Sequence, residues 1–307
     1  MPNFLKTSAI QIRDPYILPL PEERRYLLFG TTDKNAWAGP GLGFDCYESR
    51  DLENWTGPIP AFRPPADFWS NTQFWAPECH QWASPPLWQR RCYLFASFAK
   101  DGRQRGVQIL TADRPEGPYR LHSDGPVTPR NWECLDGTLF VDDAGKPWMV
   151  FCHEWVQVED GEMCAIPLTD DLRAAAGDPI LLFRASEAKW ARPFEVHGRS
   201  NNRVTDGPFL HRLASGGLLM LWSTTGYEGY AMGYAVSASG GILGPWRQSD
   251  APIYSRDGGH GMLFHDFEGR LWLTLHHPNH TPNERPVWIE VTENGAGLAL
   301  KSGNTQP

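Results

Sequence analysis

Five short stretches of this chain each set a proton-handling side chain at the threshold of a β-like run. They are Arg13-Asp14-Pro15, Ala76-Pro77-Glu78, Leu135-Asp136-Gly137, Asp206-Gly207-Pro208 and Gly259-His260-Gly261. An acidic residue before a strand is ordinarily a turn former, because its carboxylate caps nearby backbone. Acidic residues at corresponding places in four successive units are more than turn chemistry requires. Gathered in one place, such carboxyls repel one another, so that one stays protonated near neutral pH while another is ionised. That division is what general acid–base catalysis needs.

The elements around these residues say how they would be gathered. The five acidic or histidine positions lie roughly 54 to 70 residues apart, within the range of long structural repeats. Each opening is followed by a second β-like run: Tyr26–Gly30, Cys92–Phe98, Pro147–His153, Leu218–Ser223 and Leu271–His276. Four units go on to a third run and a closing element, as in Glu116-Gly117-Pro118-Tyr119 and Leu243-Gly244-Pro245-Trp246. Ala174–Ala176 is the only stretch that looks helical. Four antiparallel strands repeated five times predict an all-β, five-bladed β-propeller over residues 1–307, without an internal linker. Innermost strands of a propeller line its central channel, so their first residues meet at one mouth although they are distant in sequence.

Composition narrows the partners. A net charge of −8 offers no basic footprint for nucleic acid. No run reaches the roughly 18 apolar residues of a membrane span, and the opening Met-Pro-Asn-Phe-Leu-Lys lacks the apolar core of a signal peptide. The six cysteines (46, 79, 92, 134, 152 and 164) form no C-x-x-C pair and sit among hydrophobic residues, which predicts reduced, buried thiols and a cytoplasmic location. Fourteen tryptophans are many for one chain. Most should pack between blades, but Trp37, Trp75 and Trp155 fall at blade mouths, where an indole offers a flat face for stacking on a ligand.

With these motifs in order from about Gln11 to Val291, the chain resembles glycoside hydrolase family 43. The resemblance rests on Arg13-Asp14-Pro15, Phe74-Trp75-Ala76-Pro77-Glu78, Leu135-Asp136-Gly137-Thr138-Leu139-Phe140, Asp206-Gly207-Pro208 and Gly259-His260-Gly261. It implies Asp14 as general base and Asp136 as the carboxylate that sets the acid's pKa. The family's acid is a Glu before Gly-Pro, where this chain has the shorter Asp206. Glu154, at the end of the third unit's second strand, is the chief substitute, and Glu133 a further one. Glu78 and Arg285 are expected to bind substrate, Arg285 as a counter-charge. His260 is the family's channel histidine, with a structural calcium ion beside it or a core hydrogen bond in its place; no cofactor is otherwise expected.

The implied activity is inverting, exo-acting release of arabinofuranose or xylose from short oligosaccharides, by an α-L-arabinofuranosidase or β-xylosidase. Two alternatives stay open. Trp132-Glu133-Cys134-Leu135-Asp136 is similar to the acid motif of family 32 fructosidases, which are retaining enzymes, although their Asn-Asp-Pro-Asn-Gly motif is absent. A catalytically silent sugar-binding propeller is the other. The oligomeric state is not encoded in any of these features.

Overall fold

A computed structural model describes residues 4–83, 90–100, 105–196, 198–295 and 297–306. Among them five antiparallel blade sheets follow one another along the chain, and a separate two-stranded sheet, Phe194–Val196 with Arg199–Asn202, lies between the third and the fourth in sequence. The innermost strands are Arg13–Leu20, Thr72–Ala83, Cys134–Val141, Asp206–Arg212 and Leu263–His265. The second strands are Arg25–Thr31, Arg90–Ala99, Pro147–His153, Leu218–Gly226 and Leu271–His277. Third and outer strands complete each blade, and Leu5–Lys6 adds a fifth strand to the first. The molecule is the expected five-bladed β-propeller.

The second strands form the interior of each blade. Arg25–Thr31, like the third strand of blade two, Gly106–Ala112, is buried at every position, because in both a sheet neighbour covers each edge and an adjacent blade covers each face. Blade one packs on blade five through Trp55, Trp288 and Phe264, with the Trp288 indole N–H donating to the Leu52 carbonyl at 3.0 Å. Trp190, Trp222 and Trp246 fill the seam between blades three and four. Most tryptophans are therefore packing residues, as expected. All six cysteines are free and buried.

Ala174–Ala176 is not helical. It forms a turn closed by a bridge from Ala175 to Leu168, since its short apolar run has no face to bury. The described residues hold one α-helical turn, Trp155–Val158, at the channel mouth directly after Glu154. Among the described residues no helix is long and apolar enough to cross a membrane.

One local feature positions the chemistry. In each innermost strand the pairing with the second strand skips two residues: 14–15, 76–77, 136–137 and 207–208 in blades one to four. In blade five, the bridge from Gly259 to His276 precedes the strand across the corresponding gap. The first residue of every bulge has positive φ: Asp14 55°, Ala76 46°, Asp136 57°, Gly207 54° and His260 45°. Left-handed backbone at four non-glycine residues is strained and turns the side chain away from the blade. Repeated five times around an axis, the bulges create two tiers. Asp14, Ala76, Asp136, Gly207 and His260 form the deeper one; Arg13, Trp75, Leu135, Asp206 and Gly259 precede them at the mouth.

Candidate active site

Asp14, Asp136 and His260 of the deeper tier and Arg13, Trp75, Leu135 and Asp206 of the mouth tier line one cavity of about 270 Å³, together with Trp37, Glu154, Trp155, Tyr230 and Asn279. Of the residues singled out by sequence, Asp14, Asp136, Asp206, Glu154, Trp37, Trp75, Trp155 and His260 are all brought together here.

Glu78 and Arg285 are not in its lining. Ala76, not Glu78, occupies the bulge of blade two. Glu78 lies two residues further along the strand, where it is buried and its Oε2 contacts His80 Nε2 at 3.1 Å. Arg285 is tied to main-chain carbonyls of Ser8, Pro282 and Glu284. Arg13 supplies the expected counter-charge instead. Its guanidinium lies 4.8 Å from the Trp37 ring centre and donates to Asn279 Oδ1 at 2.6 Å. Its Nη1 is buried without a hydrogen-bond partner in the protein.

Asp14 is enclosed by groups that favour its charged form. Thr31 Oγ1 donates to Oδ2 at 2.7 Å, and His260 Nδ1 stands 3.1 Å from Oδ1. Burial works to raise its pKa, but His260, Arg13 and the Thr31 hydroxyl outweigh it and the net shift is downward. The Asp14 amide donates to His276 Nδ1 at 3.1 Å, so the proton of that imidazole is on Nε2, 3.1 Å from Asn279 Oδ1. Burial and Arg13 push His276 down to about 3, which leaves it neutral.

Asp136 and Asp206 face the opposite demand. Burial and the neighbouring Asp14 charge raise Asp136 well above the usual carboxylate range, against one amide hydrogen bond from Gly207 to Oδ2 at 3.1 Å. Burial and the Asp136 carboxylate push Asp206 up to about 8. Tyr230 Oη donates to Asp206 Oδ2 at 2.9 Å, which leaves Oδ1 to carry the proton. These interacting carboxyls titrate as a set: Asp14 favours its ionised form, and Asp206 holds a proton at neutral pH.

Glu154 is bound differently. It pairs with Arg105, whose guanidinium also donates to Gln73 Oε1 at 2.6 Å and lies 4.4 Å from the Trp75 ring centre. Burial raises the Glu154 pKa even so. Glu133 is engaged by the Arg105 amide at 3.0 Å. Among the described residues no group of three or more His, Cys, Asp or Glu side chains is arranged to hold a metal ion. His260 Nδ1 faces two carboxylates, Asp14 Oδ1 at 3.1 Å and Asp136 Oδ2 at 3.5 Å.

Sequence reasoning missed Tyr230, Arg105 and Asn279, which lie on return strands or loops without any motif. Arg13 was quoted in its motif but not given a role. Its place one residue before a bulge was the signal.

A pocket holding one ionised and one protonated carboxyl, walled by indoles at the mouth of a five-bladed propeller, is the equipment of a carbohydrate-cleaving enzyme. The model of the family described as Glycosyl hydrolases family 43 matches residues 7–293, and the chain belongs to that family. Among solved structures it is similar to an endo-arabinase from Bacteroides thetaiotaomicron VPI-5482, at 39% identity and a TM-score of 0.87, over 96% of this chain and 99% of that one. An endo-1,4-β-xylanase from the same organism shares the fold, with 24% identity and a TM-score of 0.73, over 99% and 98% of the two chains. A β-D-galactofuranosidase of Aspergillus niger is 32% identical over 114 residues, which are 35% of this chain and 34% of that protein. The chain thus matches about a third of the length of that relative.

Proposed function

We propose that this glycoside hydrolase is an inverting, exo-acting enzyme that releases arabinofuranose or xylose from short oligosaccharides. Asp14 is its general base, Asp206 its general acid and Asp136 the carboxylate that keeps Asp206 protonated. The observation that carries this reading is the opposite displacement of two carboxyls in one pocket: Asp14 lowered and Asp206 raised to about 8. A cavity of about 270 Å³ suits a terminal sugar better than the middle of a polymer.

In the reaction, water attacks the anomeric carbon as Asp14 takes its proton. The glycosidic C–O bond breaks, and its electron pair passes to the leaving oxygen, which receives the Asp206 proton. Both Asp14 oxygens are held, by Thr31 and His260, so the base meets its water in a fixed orientation. Glu154, fixed by Arg105 below Trp75, serves as an acceptor for sugar hydroxyls.

The test is hydrolysis of a panel of nitrophenyl glycosides, with the anomeric configuration of the first product followed by NMR. Turnover of arabinofuranosides or β-xylosides with inversion supports the reading. Retention of configuration, or activity confined to internal bonds of polymers, overturns it.

A further inference from the structure

The five bulge amides are held by a repeating device. In each blade one residue of the second strand pairs with the mouth-tier residue: Thr31 with Arg13, Ser97 with Trp75, Cys152 with Leu135, Ser223 with Asp206 and His276 with Gly259. Four of these side chains accept the bulge amide of the next blade around the ring. Thr31 Oγ1 takes Ala76 N–H at 2.9 Å and Ser97 Oγ takes Asp136 N–H at 2.8 Å. Ser223 Oγ takes His260 N–H at 2.9 Å and His276 Nδ1 takes Asp14 N–H at 3.1 Å.

The fifth station breaks the pattern. There the side chain is the thiol of Cys152, wholly buried and a weak acceptor. The Gly207 amide donates instead to Asp136 Oδ2 at 3.1 Å.

We propose that Cys152 is a positioning residue: offering no oxygen at its station, it leaves the Gly207 amide to the Asp136 carboxylate and so ties Asp136 to the strand that carries Asp206. Asp136 is otherwise faced by Asp14, His260, Glu154, Arg105 and Asp206. The amide is its one hydrogen bond from the backbone of blade four, and it favours the ionised form. The thiol lies against the Thr205 hydroxyl and close to both carboxyls, and burial keeps it protonated. Its kinetic consequence rests on the glycosidase reading above, whereas its structural consequence does not.

Crystal structures and pH profiles of Cys152→Ser and Cys152→Ala separate the two. In Cys152→Ser the Gly207 amide should turn to the new Oγ, as at the three stations that carry a hydroxyl. Asp136, released, repels the Asp206 carboxylate less, so the alkaline limb of kcat/KM moves to lower pH by about half a unit or more. Loss of an ordered, charge-assisted hydrogen bond should lower kcat roughly tenfold. Cys152→Ala adds no acceptor, so the amide stays on Asp136 and both limbs stay in place whatever its kcat. Should the serine variant not fold, Cys152→Thr, the residue blade one carries, is read in the same way. The inference is overturned if the amide remains on Asp136 in the hydroxyl variant, or if Cys152→Ala moves the alkaline limb as far as the hydroxyl does. Were the protein to cleave none of the glycosides tried, the proposed function would fall while the amide's partner still decides this point.

Discussion

Asp14 and Asp206 lie in different tiers of the propeller, and their protonation follows from what each tier offers. Asp14, in the deeper tier, meets a hydroxyl and an imidazole; Asp206, at the mouth, meets a single phenol and a neighbouring carboxyl. Asp14→Asn should therefore lower kcat by roughly 10²–10⁴-fold, the usual worth of a positioned base. Added azide should restore turnover with a product of opposite anomeric configuration, read by NMR; near-normal turnover without azide would remove Asp14 from the role. Asp206→Ala should keep activity on substrates with good leaving groups and lose it on natural glycosides, while Glu154→Gln chiefly raises KM. The reverse assignment would follow if the leaving-group dependence appeared in Glu154→Gln alone. Tyr230→Phe gives a signed test of the proton on Asp206. The phenol stabilises the Asp206 carboxylate, so its removal raises that pKa, and the alkaline limb of kcat/KM should move upward. A downward move in the measured profile would contradict the assignment.

The element that makes this site is the two-residue bulge at the head of each innermost strand. An unbroken strand would alternate Asp14 and Pro15 between blade and channel without crowding the mouth. The bulge turns both tiers toward the axis. Gly207 shows how tightly that element is fitted. Its φ is 54°, and a Cβ there would lie 2.6 Å from the His260 ring. Gly207→Ala should lose about 1–3 kcal/mol of stability, measured by chemical denaturation, through strain and through displacement of His260. Because His260 holds Asp14, the same variant should also lose activity. Full retention of both would mean that the bulge is more pliable than its packing indicates.

For the whole molecule, gathering carboxyls on the axis has a cost in stability. Burial and its neighbours hold Asp206 at about 8 in the folded state, against the ordinary aspartate value of 3.8. Between those limits the folded state binds a proton that the unfolded state has released, so stability falls as pH rises, by about 1.4 kcal/mol per unit at most. Asp206→Asn should flatten that slope between pH 5 and 8 in thermal melts, and an unchanged slope would show that Asp206 is not the group responsible. Asp14, whose pKa is depressed, acts in the opposite sense, and its contribution is lost on acidification through its folded pKa. The ring's closure is held elsewhere, at the seam of blades one and five. Trp288→Ala there should cost about 3–5 kcal/mol, the usual loss for a buried Trp, without moving the limbs of the pH profile.

The sequence by itself determined the blade count, the order of the strands and the residues most apt for acid–base work. Turn residues, β-like runs and the recurrence of acidic openings are local signals, and they are present whether or not the chain is folded. Asp14, Asp136 and Asp206 were legible for that reason, as were Trp37, Trp75 and Trp155. Which tier each residue occupies was not legible, because one bulge reverses the alternation of every side chain after it. Glu78 looked equivalent to Asp14 on spacing, yet Ala76 occupies the bulge, and the carboxylate passes down the channel to His80. Arg285 was the visible charge, but Arg13 reaches the pocket because it stands one residue ahead of a bulge. The partners that decide protonation come from residues far away along the chain: His276 is 262 residues from Asp14 and Gly207 is 71 from Asp136. Only closing the ring brings them within hydrogen-bond distance, so the chemistry of each carboxyl was settled by tertiary structure.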